Sequence, residues 1–283
     1  MSSSNRASAD DLEDHVSSPA SPVLSTKHNP PSSKPNAFTE MMGTKYTPPP
    51  LKPPPKLDPK TADTLRDSSW GLAAYTKDPA SFPASRVVYF NKNFVVINDL
   101  FPKASVHLLI LPRDTTKNKL HPHLAFDDPA FLADCRKEEQ DVRAIVASEL
   151  RRRFGQYSAT DRPYLDALSS DDPPEGDFPP GRDWDKEVIS GIHANPSMKH
   201  LHIHVLSRDM VSESMKKTNH YLSFTTDFFV GLENFPLAMD DHRRSYGRFP
   251  KGMKCWRCGT DYGNKMASLL KHLREEFEEW KRE

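Results

Sequence analysis

The sequence lacks a net charge. Its 39 Lys and Arg residues balance 39 Asp and Glu residues. No overall basic field argues for nucleic-acid binding, so any basic patch must be local. Only three cysteines occur in 283 residues. That is too few for a disulfide framework and fits a reducing compartment. No apolar run approaches the roughly 20 residues that span a bilayer, and no signal-peptide pattern opens the chain. No internal repeat is evident, and no strong basic import signal. We expect a soluble, intracellular protein without a membrane partner.

What is present divides unevenly. Residues 1 to about 60 hold 12 of the 26 prolines and only two aromatics, Phe38 and Tyr46. Serine fills much of the rest. Such a segment buries too little apolar surface to offset its ordering entropy. A disordered Pro/Ser-rich tail over 1–62 is the expectation. Within it "NAFTEMM" (36–42) is a more apolar island. It is either a chance cluster or a short motif that folds on a partner, such as a repair protein.

From about Ser69 the pattern becomes globular. "SSWGLAAYTKDP" reads as a helix with a serine cap and a proline stop. "RVVYF" and "FVVIND" flank "NKN" as a hairpin, and "SVHLLILPRD" is a third strand. A long helix is expected from Pro129 to about Phe154, capped by Asp128 and ended by Gly155. Its apolar stripe is Phe131, Leu132, Cys135, Val142, Ile145, Val146 and Leu150. Cys135 therefore reads as a core residue. Residues 156–183, with "SSDDPPEGDFPPGRD", read as a mobile acidic surface loop. "KEVISGIH" and "HLHIHVLS" are two more strands. Strands divided by one long helix suggest an antiparallel sheet with packed helices, an α+β fold.

The informative stretch is "HANPSMKHLHIHVLSRD" (193–209). His200, His202 and His204 alternate with Leu201, Ile203 and Val205, so a strand here would put three imidazoles on one face. Side chains two apart on a strand are about 6.5–7 Å apart at their bases. A metal site is therefore one reading. A solvated polar stripe is another, although three histidines in five residues exceed ordinary usage. Nucleophilic or acid–base chemistry is the third.

"HLHIHVL" resembles the histidine-triad (HIT) pattern of a superfamily of nucleotide hydrolases and transferases. "VVINDLFPKASVHLLILPRD" (95–114) is similar to that family's early strands. The resemblance implies that His202 is a nucleophile toward an α-phosphorus. His200 and His204 would orient it and neutralise phosphate charge. Asp99 would hold the ribose hydroxyls.

A second signature follows. Cys255, Cys258, His272 and Glu276 have the spacing C-x2-C-x13-H-x3-E. His272 and Glu276, at i and i+4, share one helical face. The pattern resembles a zinc finger with its last histidine replaced by glutamate, and carboxylate oxygen is an accepted zinc ligand. The alternative is two ordinary thiols beside an amphipathic helix. The helix stripe Met266, Leu269, Leu270, Leu273, Phe277 and Trp280 is too apolar to leave in water and should dock on its neighbour.

A HIT domain (63–226) followed by such a finger (227–283) resembles the aprataxin family, without the N-terminal phosphopeptide-binding domain of its vertebrate members. That resemblance implies removal of AMP from 5′-adenylated DNA left by abortive ligation, with a structural zinc as cofactor. His193 would protonate the leaving group. Lys103, His107, Ser197 and Lys216 would lie near the phosphates, with Lys103, Ser197, Lys216 and finger residue Arg257 against the DNA backbone. It further implies a monomer acting on nicked or broken DNA, or on RNA–DNA junctions, in the nucleus, with the cytoplasm as a second location. Each single cation can equally be a solvated surface charge. Two other functions stay open: a HIT hydrolase of small adenylates, and a non-catalytic DNA-end-binding module.

Overall fold

The computed structural model describes residues 71–172 and 174–283. The tail, the segment 36–42 and the serine cap of the first helix lie outside the described residues. The first helix, α1, spans Ala73–Lys77, and Pro79 opens a 3-10 turn just after it.

Alternating residues decide the sheet. β1 (Val87–Phe90) and β2 (Phe94–Asn98) form the expected hairpin. β2 pairs with β3 (His107–Pro112), β3 with β5 (Ile203–Ser207) and β5 with β4 (Val188–His193). β4 also pairs with β6 (Phe229–Val230), a strand too short for the sequence pattern to reveal. The order β1-β2-β3-β5-β4-β6 is antiparallel throughout.

α2 (Pro122–Ala125) is a single turn. α3 (Pro129–Phe154) has the expected bounds, and the Asp128 carboxylate accepts from the backbone N–H groups of Ala130 and Phe131. Gly155 does not end it by left-handed backbone, since its φ is −53°. A side chain there would meet Asp161 Oδ2 at 3.0 Å, so close approach is what excludes a larger residue. Leu132, Cys135, Val142, Val146 and Leu150 of α3 pack on Val96, Leu108, Ile110, Ile203 and Val205 of the sheet. The remaining α3 burial is polar. Glu138 accepts from the Tyr89 hydroxyl at 2.7 Å and from Asn91 Nδ2.

The opposite sheet face has two covers. Tyr75 of α1 lies with Val95, Ile97, Leu109 and Leu111. Tyr221, Leu222 and Phe224 of α5 (Thr218–Thr225) lie with Leu206, Met253, Cys255, Leu269 and Leu273. Alternation along β3, β4 and β5 points His107, His193 and His204 to this second face.

Residues 156–183 differ from the mobile loop expected. They contain α4 (Arg162–Leu168), and both ends are anchored. Asp161 is fully buried and accepts from Arg182 N at 2.7 Å and Trp184 Nε1 at 2.6 Å. The Arg182 guanidinium stacks on Trp184 and Trp280 at 4.4 and 4.9 Å. Polar composition conceals this burial because backbone and indole N–H groups satisfy Asp161 while Glu187 and Glu283 satisfy Arg182.

The C-terminal region is the hairpin β7 (Met253–Lys254) and β8 (Asp261–Gly263), then α6 (Met266–Trp280). It docks as its stripe requires. Leu269 and Leu273 join the second-face cluster, and Trp280 enters the main core at 1 % exposure. The Tyr221 hydroxyl donates to Lys254 O at 2.8 Å and accepts from Trp256 N at 2.9 Å.

Candidate active site and zinc centre

The polar alternation survives, but the ladder does not reach all three histidines. β5 begins at Ile203, so only His204 lies within it. His200 lies in a bend and His202 in irregular chain just before the strand, and between them Leu201 N–H donates to Asn118 O at 2.8 Å. Leu201, Ile203 and Val205 still point together into the main core. The three imidazoles are buried, at 1, 4 and 5 % exposure, which removes the solvated-stripe reading.

Five sequence candidates converge. The ring of His204 lies 4.8 Å from that of His202, 4.6 Å from His193 and 5.2 Å from His107. Asp99 Oδ2 is 3.5 Å from His107 Nδ1. Burial pulls His107 and His200 down to about 4 and lowers His202. Burial also holds His193 and His204 well below the ordinary value, and neighbouring imidazoles add to it. All five rings are therefore neutral near pH 7.

Neutrality and the bonds together fix the tautomers. His202 Nδ1 lies 2.7 Å from His200 O and must donate to that carbonyl. Its proton is on Nδ1, and Nε2 carries the lone pair. His200 Nδ1 donates likewise to Leu201 O at 2.9 Å, while its Nε2 faces the Thr76 hydroxyl at 3.3 Å. His107 Nδ1 accepts from the Lys103 backbone N–H at 3.1 Å. Its proton is thus on Nε2, which donates to His204 Nδ1 at 3.0 Å. His204 then carries its proton on Nε2. That atom is buried and finds no partner among the described residues, and the same is true of His193 Nε2. A buried donor without an acceptor suits an incoming oxygen anion.

Of the other candidates, Lys103 touches this cluster through its backbone N–H. The Lys103 ammonium donates to Phe101 O at 2.5 Å. Ser197 and Lys216 are exposed, and neither bonds to these imidazoles. Arg257 lies beside the zinc residues. Its guanidinium is held by the Glu276 and Glu283 carboxylates, so its charge is neutralised within the protein.

Several site residues carry no sequence signal of function. Phe224 stands edge-on to His204 at 5.1 Å and to His107 at 5.5 Å, and Phe228 lies 5.1 Å from His193. They come from an aromatic run without periodicity. Asp209 accepts from Ser105 N and Oγ, Ser207 Oγ and Val211 N, tying the turn before His107 to the end of β5. Gly191 pairs with His204, and a side chain there would meet Val230 O at 2.6 Å.

The zinc residues converge as the spacing requires. One donor atom each from Cys255, Cys258, His272 and Glu276 lie within 4.8 Å of one another. Cys258 Sγ is 3.2 Å from His272 Nε2, and that nitrogen is 3.1 Å from Glu276 Oε1. Bonds of about 2.0–2.3 Å to a shared ion fit such spacings. Gly259, at φ +75°, allows the tight turn of the knuckle. Two thiols, an imidazole and a carboxylate suit structural zinc, with no ligand position left for chemistry.

Known proteins agree with both signatures. The HIT domain family matches residues 83–211, and the C2HE / C2H2 / C2HC zinc-binding finger family matches residues 225–279. The aprataxin-like protein of Saccharomyces cerevisiae is 31 % identical over 220 residues, covering 74 % of this chain and 96 % of that protein. The chain belongs to the aprataxin family. The crystal structure of the aprataxin ortholog Hnt3 from Schizosaccharomyces pombe superposes with a TM-score of 0.59 at 29 % identity. It covers 74 % of this chain and 92 % of that one. An Hnt3 structure in complex with DNA aligns at 0.55 and 28 % identity, over 74 % and 94 % of the two chains. The aprataxin resemblance of the two motifs thus extends across the catalytic sheet and the finger.

Proposed function

We propose that this chain removes AMP from 5′-adenylated DNA ends through a covalent adenylyl-His202 intermediate. The observation that carries the reading is the pinned, neutral His202 beside the unpartnered Nε2–H of His204. His202 Nε2 attacks the α-phosphorus, an N–P bond forms, and the P–O bond to the DNA 5′-phosphate breaks. His204 Nε2–H donates to a non-bridging oxygen as its charge grows. The Nδ1 proton stays with the His200 carbonyl. Water then attacks the phosphorus, releases AMP and restores His202.

His193 is neutral when the site is empty, so at first it serves as a hydrogen-bond donor toward the leaving oxygen. The charge of entering phosphates raises its proton affinity and lets it act as an acid. A 5′-phosphate leaves readily, so little proton transfer is required. Asp99 is assigned to the ribose. Lys103, Ser197 and Lys216 are assigned to phosphates of the nucleic acid, and nuclear action follows from that substrate. The DNA-bound ortholog supports DNA as the class of substrate.

The test compares AMP release from a nicked duplex carrying 5′-AMP with hydrolysis of a small nucleoside phosphoramidate. A strong preference for the duplex, declining steeply with salt, is expected. Equal turnover of both, independent of salt, would support a small-adenylate hydrolase instead. Binding without turnover of either would leave only an end-binding module.

A further inference from the structure

The fourth zinc donor has two oxygens, and they face different partners. Glu276 Oε1 lies in the donor cluster, 3.1 Å from His272 Nε2. Glu276 Oε2 accepts from Arg257 Nη1, and Arg257 Nη2 donates to Glu283 Oε1. Glu283 Oε2 lies 3.3 Å from Arg182 Nη2, which also donates to Glu187 Oε1 at 3.0 Å. Glu187 directly precedes β4, the strand that ends at His193. Charge alternates at every step from the metal ligand to the catalytic sheet. Arg182 is 6 % exposed and donates Nη1 to Trp280 O. Beside it, Ala159 N–H donates to Arg282 O at 2.8 Å and Thr160 N–H to Glu283 O at 2.9 Å.

We propose that Arg257 is a positioning residue of the zinc centre, and that Glu276 is a two-sided ligand coupling zinc occupancy to docking of the finger. The chemistry requires a carboxylate. A histidine in this place would bind zinc through one nitrogen, and its other N–H is a donor that an arginine cannot engage. A carboxylate can bind the ion through one oxygen and accept from guanidinium through the other. Two thiolates and a carboxylate also exceed the charge of Zn²⁺ by one, and Arg257 offsets that excess. The five-residue run from Glu276 to Glu187 then holds the end of α6 against the segment that carries Arg182. This coupling rests on the zinc centre alone and not on the identity of the substrate.

Two readouts on the full chain test it. The first is zinc affinity by competition with a chelating dye. Arg257→Ala should weaken binding about tenfold to a hundredfold, the usual effect of losing an outer partner of a ligand. Arg257→Lys, which keeps the charge, should recover part of the loss. The second is amide hydrogen exchange at Ala159 and Thr160. Glu276→His keeps four good donors, so zinc should stay bound, yet exchange at both amides should speed up at least about tenfold. Glu283→Gln touches no zinc ligand and should speed the same amides. Unchanged zinc affinity in Arg257→Ala would overturn the positioning role. Wild-type protection at Ala159 and Thr160 in both Glu276→His and Glu283→Gln would overturn the coupling, and those two variants decide it even if Arg257→Ala fails to fold.

Discussion

His107 Nε2 lies 3.0 Å from His204 Nδ1, and this bond fixes which nitrogen of His204 carries its proton. The Lys103 backbone N–H sets His107, and His107 sets His204. His107→Phe keeps the ring volume but removes the donor. We predict a fall in kcat of roughly a hundredfold or more with KM little changed, as expected when a wrong tautomer is admitted. Nitrogen-15 spectra of the imidazoles should show loss of a single Nε2–H form at His204. An unchanged His204 tautomer would contradict this relay.

Acid should destabilise the protein in a defined window. His107 and His200 titrate at about 4 when folded, because burial disfavours the charged ring. In the unfolded chain they titrate near 6.5. Between those values the unfolded chain binds more protons, so stability rises with pH. It is fully present above about pH 6.5 and lost progressively toward pH 4. Thermal midpoints should be level above about pH 7 and fall on acidification. Equal midpoints at about pH 5 and pH 7.5 would contradict the neutral, buried cluster.

The finger cannot be removed as a separable module. Trp280 packs in the main core with Trp184 and Phe154, at ring distances of 5.8 Å each. Truncating such a residue costs about 3–5 kcal/mol, against a total stability of roughly 5–15 kcal/mol. Trp280→Ala should therefore lower the thermal midpoint of the whole chain in one transition. Two separate transitions, with the catalytic one unmoved, would mean independent domains.

Zinc should be present at about one ion per chain in elemental analysis of protein purified without chelators. Glu276→Ala should weaken its binding, and Glu276→His should restore it. Protein free of zinc after such purification would contradict the centre.

Much of this was legible from residue pattern, and the exceptions share a cause. The hairpin, the bounds of α3 and the zinc spacing follow from local periodicity and capping, which depend on neighbours in sequence. Alternation picked out His200, His202 and His204, but it cannot tell strand from the irregular chain that precedes it. That difference depends on Asn118, which takes the Leu201 N–H. Asp161 and Arg182 looked like surface because their burial comes from polar partners distant in sequence rather than from apolarity. The pairing of Arg257 with Glu283 was not legible because the two lie 26 residues apart. Phe224 and Phe228 joined the site through tertiary packing alone.

The central claim is the covalent bond at His202, and intact and peptide mass spectrometry tests it most directly. The full chain is mixed with a 5′-adenylated nicked duplex and quenched in base, where a phosphoramidate survives. Wild-type protein should gain the mass of one adenylyl group, mapped to His202. His202→Ala should gain none and lose AMP release by at least roughly four orders of magnitude, while still binding the duplex. An adduct on another residue, or AMP release by His202→Ala near the wild-type rate, would contradict the mechanism.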